Sequence, residues 1–300
     1  MINQILPVFI IIAFGFFLSL IKIADDSWVR ILNRFGLYVG FPILLFANLI
    51  TIDRKVLCAQ IPTFLTTIAI ITIVMIVIFS CIKLFHVPTD KGITLFLGGF
   101  NGNVGYLGFP LITAVSPGSG ATISLIIAAY GICLFTIGLF LLESITGKEK
   151  NIKEILRYMV TSPFLIAIGA GLFVSVLGIN IHPTLLKAID MIEASAAPVV
   201  LIGLGIFMNR KIQIRALAKP LFVILAVKLL VFPSLFIAAG KVFSFDQLFN
   251  IAILEASMPL AITNFALSDR YPMDKELMVS AIVVSTLLTP LIFPLYTMLL

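Results

Sequence analysis

Apolar residues run through this chain in long blocks, each closed by a charge or by a break rich in Pro and Gly. A helix needs about twenty mainly apolar residues to cross the hydrocarbon of a bilayer, so the pattern predicts spanning helices. Ten blocks lie near residues 3–21, 32–50, 61–82, 92–115, 120–143, 158–179, 185–208, 217–240, 246–268 and 276–299. The longest break, SITGKEKNIKEILR at 144–157, is strongly charged and sits near the midpoint. The first block has no basic residue before Lys22, unlike a secretory signal, and is expected to be retained as span one.

Two blocks are interrupted. Span four reads GITLFLGGFNGNVGYLGFPLITAV and span nine reads QLFNIAILEASMPLAITNFAL. A mid-membrane proline removes a backbone hydrogen bond and clashes with the preceding turn, and the glycines of span four loosen the backbone further. Both helices are expected to stop and restart at Pro110 and Pro259. Exposed backbone N–H and C=O groups are tolerated at that depth only when buried in protein or lining a wet cavity.

The interruptions belong to a longer internal match. Pro7, Gly15, Ser19 and Pro42 recur as Pro163, Gly171, Ser175 and Pro198 at an offset of 156. Phe100-Asn101 and Pro110-Leu111 recur as Phe249-Asn250 and Pro259-Leu260 at an offset of 149, so both copies read F-N-x8-P-L. Five spans is an odd number, so the second copy must run through the membrane upside down, as in secondary transporters with a midplane site. The prediction is an all-α integral membrane protein with ten transmembrane helices. They form two inverted five-helix repeats, at 1–143 and 158–300, joined by a cytoplasmic linker at 144–157, with broken, crossing helices four and nine.

Composition agrees with this class: 61% of residues are hydrophobic and only 11% charged. Of the twenty Lys and Arg residues, fifteen fall in loops on one side if the N-terminus is outside, against four in the opposite loops; Lys228 lies inside span eight. The positive-inside rule then places both termini outside the cytoplasmic membrane. Basic residues scattered in this way give no nucleic-acid footprint. Cys58, Cys81 and Cys133 have no metal-like spacing and read as packing residues, and His86 and His182 fall in loops, so no metal site is expected. No phosphate-binding loop, GxSxG or HExxH is present, which argues against an ATP-driven pump or a hydrolase.

The expected site is where the two breaks meet. Half-helices starting at Pro110 and Pro259 would turn positive N-terminal ends toward an anion. Asn101, Asn103, Asn250 and Asn264 supply donors and acceptors there, or satisfy the unwound backbone, and Gly105 adds backbone freedom. Glu255, alone in an uncharged stretch, is an ionisable residue at depth. It could take up a proton, ligate Na⁺ or pair with Lys228. Glu143, Asp190 and Glu193 are read as interfacial.

These segments resemble the auxin efflux carrier family. FNGNVGYLGFPLITAV resembles its fourth-span motif, ILEASMPLAITNFALSDRY its ninth, SAAPVVLIGLGIFM its seventh and STLLTPLIFPLY its last. The absence of a long central hydrophilic loop matches prokaryotic, malate/malonate permease-like members. The resemblance implies a distant relation to the bile acid–sodium symporters. It implies a scaffold of spans one, two, six and seven, often a homodimer, and a mobile part of spans three to five and eight to ten. It implies organic anions such as malate or malonate as substrates, with Asn101, Asn103, Pro110, Asn250 and Pro259 at the crossover and Glu255 where the symporters ligate sodium. Several plant members carry a Pro-Asn style motif in span four; the glycine-rich GNVGYLGFP here argues against auxin itself.

The leading expectation is a secondary carrier of small organic anions in the bilayer, working by alternating access with H⁺ or Na⁺ as the coupling ion and no other cofactor. A sodium-coupled symporter of larger organic anions and a passive anion channel are the alternatives. The channel is disfavoured because polar residues concentrate at two breaks instead of forming a continuous stripe. A membrane enzyme or receptor has neither a clustered nucleophile and base nor a soluble domain.

Overall fold

The computed structural model describes residues 2–147, 153, 157, 160–243 and 247–300. Most of the charged 144–157 segment and the first residues of spans six and nine lie outside the described residues. Among the described residues, regular structure is helical apart from one isolated antiparallel bridge between Gly102 and Leu260.

Seven helical stretches are long and apolar enough to cross a membrane: Asn3–Leu20, Asp26–Ile50, Lys55–Leu84, Gly120–Thr146, Pro183–Phe207, Ala218–Phe243 and Lys275–Leu299. They coincide with the expected spans one, two, three, five, seven, eight and ten. Span six is the shorter helix Pro163–Leu177, and spans four and nine are each divided into shorter helices. The chain is therefore a multi-pass membrane protein.

Span two begins earlier than its apolar block. Its first helix, Asp26–Phe35, is amphipathic, with Val29 buried and Asp26, Arg30 and Arg34 among its polar residues. Asp25 caps it by accepting the Ser27 N–H at 2.9 Å. The Ser27 hydroxyl, then the Ser27 N–H, hold the Asp25 carboxyl below the usual carboxylate range.

Several of these helices contain one widened π-turn. Such turns occupy Gly36–Gly40, Val104–Gly108, Leu134–Gly138 and Val227–Val231. Three of the four end two residues before a proline: Pro42, Pro110 and Pro233. Proline lacks an N–H and its ring repels the carbonyl four residues earlier, so the ladder shifts by one residue instead of breaking. The shift shows directly where Phe41 N–H bonds to the Gly36 carbonyl and Phe232 N–H to that of Val227. Nothing in the structure explains the fourth.

The chain forms two compact units. The first is Met1–Pro62, Gly105–Ala128 and Val160–Asn209; the second is Thr63–Val104, Ala129–Met159 and Arg210–Leu300. Each draws on both sides of the 144–157 segment. The first holds spans one, two, six and seven, the set implied for the scaffold, together with residues 105–128.

In the first unit, the helix Ile2–Leu20 (α1) packs along Pro183–Phe207 (α2). A Cβ on Gly15 would collide with the Ile202 carbonyl oxygen, and one on Gly205 with that of Ile12. The helices thus touch backbone to backbone, the small-residue contact that membrane helices use where lipid removes the hydrophobic drive to associate. Asn48 Nδ2 donates to Glu193 Oε1 at 2.7 Å and Gln60 Nε2 to Thr122 Oγ1 at 2.8 Å, each joining distant segments. Glu193, read as interfacial, is half-buried and bonded to Asn48 within this unit.

In the second unit, Asp274 caps Lys275–Leu299 by accepting the Leu277 N–H at 2.9 Å. Arg270 Nη2 lies 3.5 Å from Glu143 Oε1, and Glu143 is buried.

The α1–α2 contact predicts a sharp asymmetry among glycines. Gly205→Leu is expected to lower the melting temperature of the detergent-solubilised protein by about 5–10 °C, because overpacking such a contact costs a few kcal/mol. Gly169→Leu, where a Cβ meets nothing within 4 Å, is expected to leave it essentially unchanged. Scanning fluorimetry on both variants checks this.

Candidate functional site

The break in span four is set by local sequence. The helix Thr89–Phe100 (α3) ends just after Gly98-Gly99, and Asn101 takes an extended conformation at φ −81°, ψ 98°. Regular structure resumes at Val104 in the π-turn that leads into Phe109–Val115. In span nine the helix Gln247–Ala256 (α4) ends before Ser257-Met258-Pro259, and a short helix follows at Thr263–Ala266.

The breaks are thus not at matching residues of F-N-x8-P-L. Pro259 lies at its break. Pro110 does not: it occupies the start of the α-helical part of its half-helix, beyond a π-turn that already absorbs its missing N–H. Likewise Asn101 lies at a break, whereas Asn250 lies within α4, well before the helix ends.

At the breaks, the unwound segments satisfy each other. Asn103 N–H donates to the Pro259 carbonyl at 2.7 Å, and Ala261 N–H to the Asn101 carbonyl at 3.2 Å, on either side of the Gly102–Leu260 bridge. Side chains reinforce the pair. Asn101 Nδ2 donates to Asn264 Oδ1 at 2.6 Å, and Asn264 Nδ2 returns a bond to the Asn101 carbonyl at 3.2 Å. Leu260 N–H donates to Ser285 Oγ at 3.1 Å, and Ser285 in turn donates to the Ile282 carbonyl. The result is a two-stranded contact one residue pair wide, made where a helix ladder is unavailable.

The structure brings together Asn101, Asn103, Pro259 and Asn264, all buried in the second unit. Asn250 and Glu255 belong to the same unit on α4, with Asn250 half-buried. Gly105 and Pro110 belong to the first unit and are half-buried. A Cβ on Gly105 would press on the Phe41 ring at 3.1 Å.

Three polar groups matter most for chemistry. Asn103 Nδ2 and both Glu255 carboxyl oxygens are buried without a hydrogen-bond partner. Lys228 is fully enclosed, and its Nζ donates to the Ala256 carbonyl at 2.7 Å. Its charge also sits 4.6 Å from the Phe232 ring centroid, and Glu255 acts on it electrostatically. A lone cation within span eight was the only sequence signal for Lys228. Ser285, which holds the Leu260 N–H, had none.

The Asn101–Asn264 bond predicts a coupled pair. Asn101→Ala and Asn264→Ala are each expected to destabilise the protein by about 1–3 kcal/mol by leaving a buried partner unsatisfied. The double variant should cost little more than either single one, a coupling measurable by a denaturation double-mutant cycle.

Known sequences place the chain among membrane transporters. A family model described as membrane transport protein matches residues 1–297. An uncharacterized transporter of Methanothermobacter thermautotrophicus is 25% identical, covering 99% of this chain and 98% of its own. A second, from Methanocaldococcus jannaschii, is 24% identical over 98% of this chain and 97% of its own. A candidate malonate transporter of Rhizobium meliloti is 24% identical over 95% of this chain and 91% of its own. These relatives are named as transporters, not enzymes, and the chain belongs to the membrane transport protein family, the auxin efflux carriers.

Proposed function

We propose that this protein is a secondary carrier of small carboxylates, of the malate or malonate class, that works by alternating access. The observation that carries the reading is the pair of interlaced helix breaks with enclosed but unpartnered polar groups beside them. Irregular backbone at membrane depth is stable only inside protein or along a cavity, and it is where transporters of this kind bind cargo. Asn103 offers a free amide donor to an anion. Asn101, Asn264 and Pro259 hold the crossing together, Asn250 on α4 of the same unit adds a further amide for the cargo, and Glu255 is the group through which H⁺ or Na⁺ couples to the cycle. The malonate assignment of the Rhizobium relative supports the size and charge of the cargo.

The architecture that goes with this reading is ten spans in two inverted five-helix repeats, 1–143 and 158–300, with 144–157 as a cytoplasmic linker. Both termini face outward from the cytoplasmic membrane, a placement that the excess of Lys and Arg in alternate loops supports, and the carrier acts as a homodimer.

Proteoliposomes containing the protein are expected to take up radiolabelled malonate or malate saturably and to show counterflow when preloaded. Uptake that never saturates would identify a pore, and no flux of any small carboxylate under any gradient would remove the reading. Asn103→Ala is expected to reduce uptake at least about tenfold, the loss of a hydrogen bond to a charged cargo, with the melting temperature preserved. Glu255→Gln is expected to change how uptake responds to imposed H⁺ and Na⁺ gradients. An unaltered response to both would show that Glu255 does not couple.

A further inference from the structure

The end of α4 is almost fully accounted for within the backbone. Helices leave their last four carbonyls without intrahelical partners. Here the Ile253 and Leu254 carbonyls accept the Ser257 N–H at 3.1 and 3.2 Å, and the Glu255 carbonyl accepts the Met258 N–H at 3.2 Å. The Ala256 carbonyl remains, and Lys228 Nζ takes it at 2.7 Å. A helix C-terminus carries partial negative charge, so a cation there is favoured. Next to it in sequence is Glu255, whose carboxyl oxygens have no hydrogen-bond partner.

Space at this point fits the ammonium group. A Cβ on Gly102 would lie 2.9 Å from Lys228 Nζ and 3.0 Å from its Cε. The missing side chain of Gly102, in the break of span four, therefore makes room for the lysine head at the break of span nine. Phe232, four residues further along the same helix, sets its ring 4.6 Å from the ammonium. Carbonyls at the C-terminal end of a half-helix, combined with a carboxylate, are what a transporter offers to a coupling metal cation.

We infer that the Lys228 ammonium is a tethered stand-in for that cation. It takes the Ala256 carbonyl, next in sequence to Glu255, that the helix end would otherwise offer to a monovalent metal ion, so the crossing binds no Na⁺. The inference narrows the proposed function, on which its meaning for transport rests, to a carrier that sodium does not drive.

The test needs no substrate. The purified full-length protein is melted in sodium, lithium or potassium chloride against choline chloride at equal ionic strength. The wild type is expected to melt at one temperature in all four. Lys228→Met removes the charge but keeps an apolar chain of similar length. That variant is expected to gain a saturable stabilisation of about 2–4 °C from Na⁺ or Li⁺, which bind only the folded state. Lys228→Met combined with Glu255→Gln should lose that gain, and Lys228→Ala should be stabilised by propylammonium but not by tetramethylammonium. Saturable Na⁺ stabilisation of the wild type, or a folded Lys228→Met that responds to no alkali ion, would overturn the inference. Radioactive ²²Na⁺ binding to the wild type by scintillation proximity is independent of any variant: no saturable binding is expected, and saturable binding would overturn it equally. A protein that passes these tests yet moves no carboxylate would keep the tethered cation and lose the carrier reading. Carboxylate flux together with saturable Na⁺ binding would do the reverse.

Discussion

Backbone polar groups cannot be left bare in hydrocarbon, and the second unit is organised around that constraint. Two helices stop at depth, and their exposed peptide groups must find partners that are not water. They find each other. Asn103 and Ala261 donate across the Gly102–Leu260 pair, Asn101 and Asn264 lock side chain to side chain, and Ser285 takes the Leu260 N–H that the bridge leaves over. Each of these bonds is modest in net free energy, but leaving any one unmade would be expensive. The crossing is therefore held by mutual satisfaction, which fixes where its remaining polar groups can point.

Burying charge at such a place has a consequence for ions. Glu255 and Lys228 are both fully enclosed, and an isolated charge there would be strongly disfavoured. Lys228 is made tolerable by the terminal carbonyl of a helix, by an aromatic face and by the field of Glu255. The amide of Asn103 and the carboxyl of Glu255 are left unpaired at the same crossing. A protein selected for stability alone would fill these positions with apolar side chains. Retaining them at a crossing of broken helices accords with the charged cargo proposed for this site.

The first unit solves the opposite problem. Its helices have no need to break, and lipid gives them little reason to associate. They approach until backbones touch at Gly15 and Gly205, and a few amide and carboxyl contacts such as Asn48 to Glu193 fix their register. Prolines in both units are absorbed by π-turns, as at Pro42 and Pro233, so a proline inside a span of this protein marks a widened turn at least as often as a true break.

That distinction separates what was legible in the sequence from what was not. Apolar block length predicted ten spans, of which seven are helices long and apolar enough to cross, because the bilayer imposes its thickness on any helix that crosses it; Pro and Gly flagged four and nine as interrupted. The same run lengths understated span two, whose amphipathic first helix has too many polar residues to register as a block. Asn101, Asn103, Pro259 and Asn264 were recognisable as polar or helix-breaking residues in a place that disfavours them. Composition could not show which proline breaks a helix and which only widens a turn, and so the F-N-x8-P-L match put Pro110 and Asn250 at breaks they do not occupy. Nor could it show that Asn101 bonds Asn264, that Ser285 serves Leu260, or that Lys228 reaches the end of α4 through the gap left by Gly102. Those contacts join residues far apart in the chain. Hydrophobic pattern records which solvent a residue prefers, whereas the partner of a buried polar group is decided only when the helices cross.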